Sequence, residues 1–349
     1  MNRNNKLVFC TLFDSNYLDK GLALYNSLNK VCENFILYVI AFDDLAYSLL
    51  KKMKLMNLEV INIGDVEDDV MRRIKKERSR GEYCWTCTPI IIEHVLEKYD
   101  EDICTYIDSD LFFYTSPEKL FEEMEEENAS VLITPHNYYP CLESKIDEKY
   151  KGKYCVQFNT FKNDENGRQV LSWWKNKCLE CCTSEVRKDV FGDQKYLDFF
   201  ENFKGVCSTK SKGLLAPWNV AWWKEISLLN DLVLLKRRGE EQKLIFYHFH
   251  NINYIDNKLV DIRTFVRPGK AKEQVVLQIY MPYLQQVEEI RDMLKKEYGL
   301  DLRIKVKSEI RSEKKQDKCK PNILLRCILR IRKKYRYLLW REKDYISLS

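Results

Sequence analysis

At 349 residues, 45% apolar and 32% charged, the chain has enough apolar material to bury a sizeable core, which excludes a disordered or low-complexity protein. Its net charge of +5 is unevenly spread: residues 301–349 carry 16 Lys and Arg against 6 Asp and Glu, and the remainder is mildly acidic. An anionic partner is therefore expected at the C-terminal end. No apolar run reaches the ~20 residues of a membrane-spanning helix.

The start, Met1 to Lys6, is polar and lacks a charged-then-apolar leader pattern. The 13 cysteines are odd in number and scattered, so they read as reduced thiols of a cytoplasmic protein. Two Cys-x-x-Cys spacings, Cys84–Cys87 and Cys178–Cys181, would bind zinc only if the distant pairs met. Thiols buried among apolar neighbours are the simpler reading.

In chain order, Leu7–Phe13 predicts a strand and Gly21–Asn29 a helix, through Leu22, Tyr25 and Leu28. Phe35–Phe42 predicts a second strand, Ala46–Met56 a helix and Leu58–Ile63 a third strand. Pro89–Lys98 reads as helical, and Ile103–Ile107 as a strand that ends in acidic residues. Short strands alternating with helices imply an α/β fold, its sheet mostly parallel with helices on both faces. Such sheets bind ligands beyond the carboxyl ends of their strands. Further on, Tyr154–Phe161 is an apolar segment, Arg168–Cys182 and Asp193–Phe203 read as helices, and Lys243–Phe249 as a strand. A helical pattern resumes over Gln274–Tyr298. The expected division is a catalytic body at 1–265, a helical extension at 266–304, and a basic linker with an amphipathic helix at 305–349.

The sharpest chemical signal is Asp108-Ser109-Asp110 at the end of the Ile103–Ile107 run. Two carboxylates two positions apart on a strand end reach one hard cation, Mn2+ or Mg2+, which could bridge the phosphates of a nucleoside diphosphate. An Asp-rich turn is the plain alternative. Two of the four histidines, His248 and His250, follow the apolar run Leu244–Tyr247. An imidazole there suits a third metal ligand, although an ordinary structural histidine is the alternative.

Five segments follow one another along the chain: Trp85–Pro89 (WTCTP), Tyr106–Pro117 (YIDSDLFFYTSP), Phe191–Leu197 (FGDQKYL), Ala216–Asn219 (APWN) and His248–His250 (HFH). Together they make the chain resemble the GT-A glycosyltransferases related to glycosyltransferase family 8, in particular a bacterial branch of surface-polysaccharide and lipopolysaccharide sugar transferases. The resemblance implies a GT-A (nucleotide-diphospho-sugar transferase) fold: a Rossmann-like, mixed, mostly parallel sheet with a C-terminal helical extension. It implies metal-dependent transfer of a hexose, with retention, from a nucleotide sugar such as a UDP-sugar to a glycan or lipid-linked glycan acceptor. Asp14, Asn16 and Tyr17 would hold the nucleoside and Asp108 and Ser109 the donor. Asp108, Asp110 and His248 would bind the metal, with His250 a lesser candidate. Asp193 and Gln194 would lie beside the anomeric carbon, and Trp218 and Asn219 would shape the acceptor side. The chain departs from the family where Cys155-Val156-Gln157 replaces an Asn-x-Gly. It departs again at Asn251, which replaces a glycine, with no lysine before Lys258.

Residues 320–343 carry nine Lys and Arg. Within them Leu324, Ile328, Ile331, Tyr335 and Leu338 recur at helical spacing, a basic amphipathic pattern. It suits peripheral contact with anionic lipid at the inner face of the cell membrane, the alternative being a helix packed on the body. No nucleic-acid-binding fold accompanies it. Two other functions fit parts of the pattern. A sugar nucleotidyltransferase would want a glycine-rich loop where Asp14–Asp19 has none, and a non-catalytic carbohydrate-binding protein would not need the acidic pair.

Overall fold

The computed structural model describes residues 6–187, 189–254, 259–262, 270–303 and 345–347. The first half alternates as expected: β1 (Leu7–Phe13), α1 (Leu18–Val31), β2 (Phe35–Ala41), α2 (Asp44–Met53), β3 (Leu58–Asn62), α3 (Asp69–Glu77), α4 (Arg80–Lys98) and β4 (Ile103–Ile107). There follow β5 (Leu111–Phe113), α5 (Glu118–Glu126), β6 (Val131–Pro135), α6 (Leu142–Lys151), β7 (Tyr154–Lys162) and α7 (Glu165–Glu180). Past a 3-10 stretch at Gln194–Asn202 come β8 (Val206–Ser208), β9 (Leu214–Leu215), β10 (Glu225–Leu229), β11 (Leu232–Arg237), β12 (Glu240–Lys243) and β13 (Phe246–His248). The chain closes with β14 (Asn253–Tyr254), β15 (Leu259–Asp261), α8 (Lys270–Val275), a π-helical stretch, α9 (Met281–Tyr298) and β16 (Tyr345–Ser347).

The main sheet runs β3-β2-β1-β4-β7-β6-β8. Every neighbouring pair is parallel except those of β7, which is antiparallel to both β4 and β6. The fold is mixed α/β with a mostly parallel central sheet. Strand β1 shows why its sequence is apolar but for Thr11. Val8, Cys10 and Leu12 pack into one core with Ile91, Val95 and Trp174, while Phe9 and Phe13 pack into the other with Leu24, Phe113 and Phe158. A strand buried on both faces has no polar alternation.

Three expectations need correction. Helix α4 begins at Arg80, nine residues before Pro89, because Ser79 and Glu82 form a reciprocal capping box. Pro89 then lies inside the helix, where its missing N–H gave a false start signal. Asp193–Phe203 is a 3-10 stretch over Gln194–Asn202, and the Lys243–Phe249 strand narrows to Phe246–His248. The three-stranded sheet β10-β11-β12 was not anticipated. Its reversals rest on Asn230-Asp231 (φ 49° and 64°) and Arg238-Gly239 (φ 43° and 80°). Left-handed residue pairs of this kind close two-residue hairpins.

Helix α9 buries Tyr283, Leu284, Val287, Ile290 and Leu294 in the core that holds Phe9 and Leu24. Across this contact Arg291 donates from Nε to Asp19 at 2.6 Å. Ile346 of β16 is buried in the same core. The basic segment 320–343 lies outside the described residues. Among the described residues no helix is long and apolar enough to cross a membrane.

Candidate functional site

The site is built where β4 ends. A tight turn carries Asp108, Ser109 and Asp110, with the Leu111 N–H donating to the Asp108 carbonyl at 3.1 Å. Strand β5 then pairs antiparallel with β13, His248 opposite Leu111. The Phe249 N–H donates to the Asp110 carbonyl at 2.9 Å, which locks the two segments in register. His248 Nε2 consequently lies 3.0 Å from Asp110 Oδ1 and 3.6 Å from Asp108 Oδ2. The three residues expected to share a metal are brought together.

The ligand atoms that all lie within 4.8 Å of one another are those of Asp110, His248 and His250; Asp108 stands outside that group and reaches His248 at 3.6 Å. The exposed His250 also pairs through Nε2 with the Asn251 amide at 2.6 Å. His248 is buried, and its Nδ1 meets Gln157 Oε1 at 2.8 Å. A carbonyl oxygen accepts only, so Nδ1 carries the proton and Nε2 faces the carboxylates.

The electrostatics are those of a cation site. Burial alone would lower the His248 pKa, but Asp110, Cys155 and Asp108 more than offset it and hold it well above the usual imidazole value. Burial pushes the Asp108 carboxyl up, whereas at Asp110 the His248 charge outweighs burial and holds the carboxyl below its ordinary range. Two carboxylates against one imidazolium leave net negative charge among largely buried side chains. A hard oxygen pair with one imidazole nitrogen is a donor set that Mn2+ or Mg2+ accepts, so these residues fit the divalent cation that the sequence implies.

Around this centre, Asp14 follows β1. Its Oδ1 accepts the Asn16 N–H at 2.8 Å, and its Oδ2 is paired with the Arg80 guanidinium. Tyr17 is 44% exposed, and the Lys20 ammonium sits 3.9 Å over its ring. Lys20 also projects positive charge onto Asp110 and His250. Asp193 is buried. Burial, opposed by a Thr88 hydrogen bond and assisted by Asp108, raises its pKa to about 7. Two of the five segments meet here: Trp85 packs on Phe191 with ring centroids 6.3 Å apart. A Cβ on Gly192 (φ +56°) would come within 3.2 Å of the Trp85 ring. Gln194 Nε2 donates to the Lys151 carbonyl at 2.9 Å.

The opposite wall is aromatic. Trp218 stands edge-to-face against His248 and His250, with centroids 5.5 and 5.7 Å away. The Trp218 indole and Asn219 amide both donate to the His136 carbonyl, at 2.9 and 3.0 Å. Beyond them lies a cavity of about 350 Å³ lined by Tyr138, Trp222, Trp223, Asn137, Glu148 and Arg237, among others.

Sequence reasoning did not assign roles to Arg80, Lys20, Thr88 or Gln157. Arg80 is one basic residue in a basic stretch, and Lys20 lies on an ordinary amphipathic helix. Only Gln157 left a trace, as a polar residue inside the apolar run of β7.

No family model matches this chain. The uncharacterized protein YfnF of Bacillus subtilis (strain 168) is 30% identical over 288 residues, covering 79% of this chain and 92% of YfnF. The uncharacterized protein YfnD of the same organism is 30% identical over 281 residues, 79% of this chain and 87% of YfnD. Among solved structures, the galactosyltransferase LgtC with donor and acceptor sugar analogs aligns with a TM-score of 0.48 and 11% identity, over 81% of this chain and 96% of LgtC. Mouse xyloside xylosyltransferase 1 aligns with a TM-score of 0.44 and 12% identity, over 70% and 98%. Both structural alignments are loose.

Proposed function

The chain belongs to the family of the Bacillus subtilis proteins YfnF and YfnD, and we propose that it is a glycosyltransferase of the GT-A type. It transfers a hexose from a nucleotide sugar, most simply a UDP-sugar, to a glycan or lipid-linked glycan. The observation that carries this reading is the convergence of Asp108, Asp110 and His248 at the strand ends, with 3.0 and 3.6 Å between imidazole and carboxylates. A purely carbohydrate-binding protein gains nothing from two carboxylates held together with too little positive charge.

Asp108, Asp110 and His248 would hold the divalent cation, Mn2+ or Mg2+, with His250 in reserve. The bound cation supplies Lewis acidity to the departing diphosphate. Tyr17 offers an exposed ring for the base, and Asp14 with Asn16 shapes the loop beneath it. Lys20 adds a fixed positive charge on the phosphate side of the cleft. Asp193, neutral up to about pH 7, presents a hydrogen bond to the reacting sugar without repelling the diphosphate. Gln194 is steadied by Lys151 and lies next to it. The acceptor enters over Trp218, its ring stacking on the aromatic wall while its hydroxyl attacks the anomeric carbon. The donor's configuration is retained.

A screen of nucleotide sugars for release of UDP or GDP, with and without Mn2+, tests the reading. Metal-dependent release is expected from at least one donor, and its absence across UDP- and GDP-sugars would sink the proposal. Residues 320–343 are proposed to rest on anionic lipid. Substituting their Lys and Arg is the proper test by vesicle co-sedimentation, because truncation would also remove the core residue Ile346.

A further inference from the structure

Strand β7 is buried almost throughout, and Gln157 is 0% exposed. An apolar side chain would fill that position without desolvating an amide. Gln157 instead makes two contacts with the site. Its backbone carbonyl accepts the Asp108 N–H at 3.1 Å, anchoring the turn that carries the carboxylates. Its Oε1 meets His248 Nδ1 at 2.8 Å. The other end of the same amide, Nε2, is buried with no hydrogen-bond partner.

We propose that Gln157 is the positioning residue of the metal site: it fixes the Nδ1–H tautomer of His248, so that the Nε2 lone pair faces Asp108 and Asp110. The inference rests on the metal reading above and deepens it. An imidazole has one proton to place when neutral, and the partner of one nitrogen decides which nitrogen remains free to ligate. In the metal-free protein the imidazolium carries a proton on each nitrogen; when a cation takes the place of the Nε2 proton, the Gln157 acceptor keeps the remaining one on Nδ1.

The test uses the full chain and Mn2+ in the presence of UDP, followed by calorimetry, for wild type, Gln157→Leu and Gln157→Glu. Gln157→Leu should raise the Mn2+ Kd about 10–100-fold, with at most a modest fall in its metal-free thermal midpoint, since the variant removes one orphaned buried group, the amide Nε2, and leaves another, the His248 Nδ1–H. Gln157→Glu keeps an acceptor opposite Nδ1 and should restore binding. In wild type with Mg2+ and UDP, long-range 1H–15N spectra should find the His248 proton on Nδ1, a readout that needs no variant. Unchanged Mn2+ affinity in Gln157→Leu, a lowered metal-free midpoint without loss of affinity, or a wild-type proton on Nε2 each overturns the positioning role. Failure of the wild type itself to bind Mn2+ with UDP overturns the metal reading beneath it.

Discussion

Two buried clusters of charge hold distant parts of this chain together, and they are built on opposite terms. At the α1–α9 contact, Arg291 and Asp19 meet at 2.6 Å with side chains 7% and 2% exposed. Arg291 also reaches Glu288 at 2.7 Å and lies 3.8 Å over the Tyr254 ring. Arg303 bonds Glu288 and Asp292 in turn. Each carboxylate in that network has a guanidinium, which cannot release its proton. At the end of β4 the only cation in direct contact with Asp108 and Asp110 is the imidazole of His248, among the described residues, and an imidazole can give its proton up. A permanent counter-ion closes a structural joint, whereas an exchangeable one leaves a place for a metal.

The largest expected effect breaks the exchangeable cluster. Asp110→Asn should reduce sugar transfer by about a thousandfold, roughly 4 kcal/mol of barrier. Its thermal midpoint should fall modestly while the fold persists, because the substitution removes the carboxylate that the His248 charge holds ionised. Transfer at the wild-type rate, with donor and Mn2+ present, would remove the metal from the mechanism.

Breaking the permanent cluster should cost stability instead. Arg291→Met leaves Asp19 charged and buried, and should destabilise the protein by about 3–5 kcal/mol in urea unfolding. Mn2+ affinity of the fraction that stays folded should match wild type. Loss of metal binding without loss of stability would show that the two clusters are not separate devices.

Asp193 sharpens the comparison, being a buried acid with no cation of its own in hydrogen-bond contact among the described residues. Its folded pKa, near 7, lies above the unfolded value near 3.8. Between these values the folded state keeps a proton that the unfolded chain has released, so stability from this group falls as pH rises. The slope is at most about 1.4 kcal/mol per pH unit, or about 2 kcal/mol from pH 5 to 7 after relaxation. Asp193→Asn should flatten that part of the profile in urea midpoints measured from pH 5 to 8. Identical profiles would mean that Asp193 is ionised in the folded protein.

The smallest effect belongs to the uncharged wall. Trp222→Ala should raise the acceptor KM about tenfold, near 1.4 kcal/mol of lost stacking, while hydrolysis of the donor in the absence of acceptor stays unchanged. If both rates fell together, the cavity beyond Trp218 would belong to the donor instead.

Much of the framework was legible before any coordinates. β1 and β4 match the sequence reading residue for residue, because strands buried on both faces appear as unbroken apolar runs. Asp108 and Asp110 stood out because a charged pair interrupts such a run. The β10-β11-β12 sheet was missed because β12 (EEQK) carries no apolar residue and β10 (EISLL) is mostly exposed, so the apolar run Leu232–Leu235 of β11 stood without recognisable neighbours. Gln157 was noted only as part of a departure from the family pattern, because it is one of three polar residues in the run from Tyr154 to Phe161, and its use appears only once its partner is known.

The amino-acid order by itself determined β1 to β4, the apolar run of β7, helices α1, α2, α7 and α9, the acidic turn after β4 and the basic C-terminal segment. Those features depend on local periodicity, and local periodicity is written in neighbours. Which histidine nitrogen faces which carboxylate was decided by the β5–β13 register, and the tautomer by Gln157 across β7. Whether a buried charge is sealed, as Asp19 is by Arg291, or left open, as Asp110 is, depends on contacts between segments far apart in sequence. Only close packing brings such segments within hydrogen-bond range, where the counter-ion that arrives, guanidinium or imidazole, decides which of the two the charge becomes.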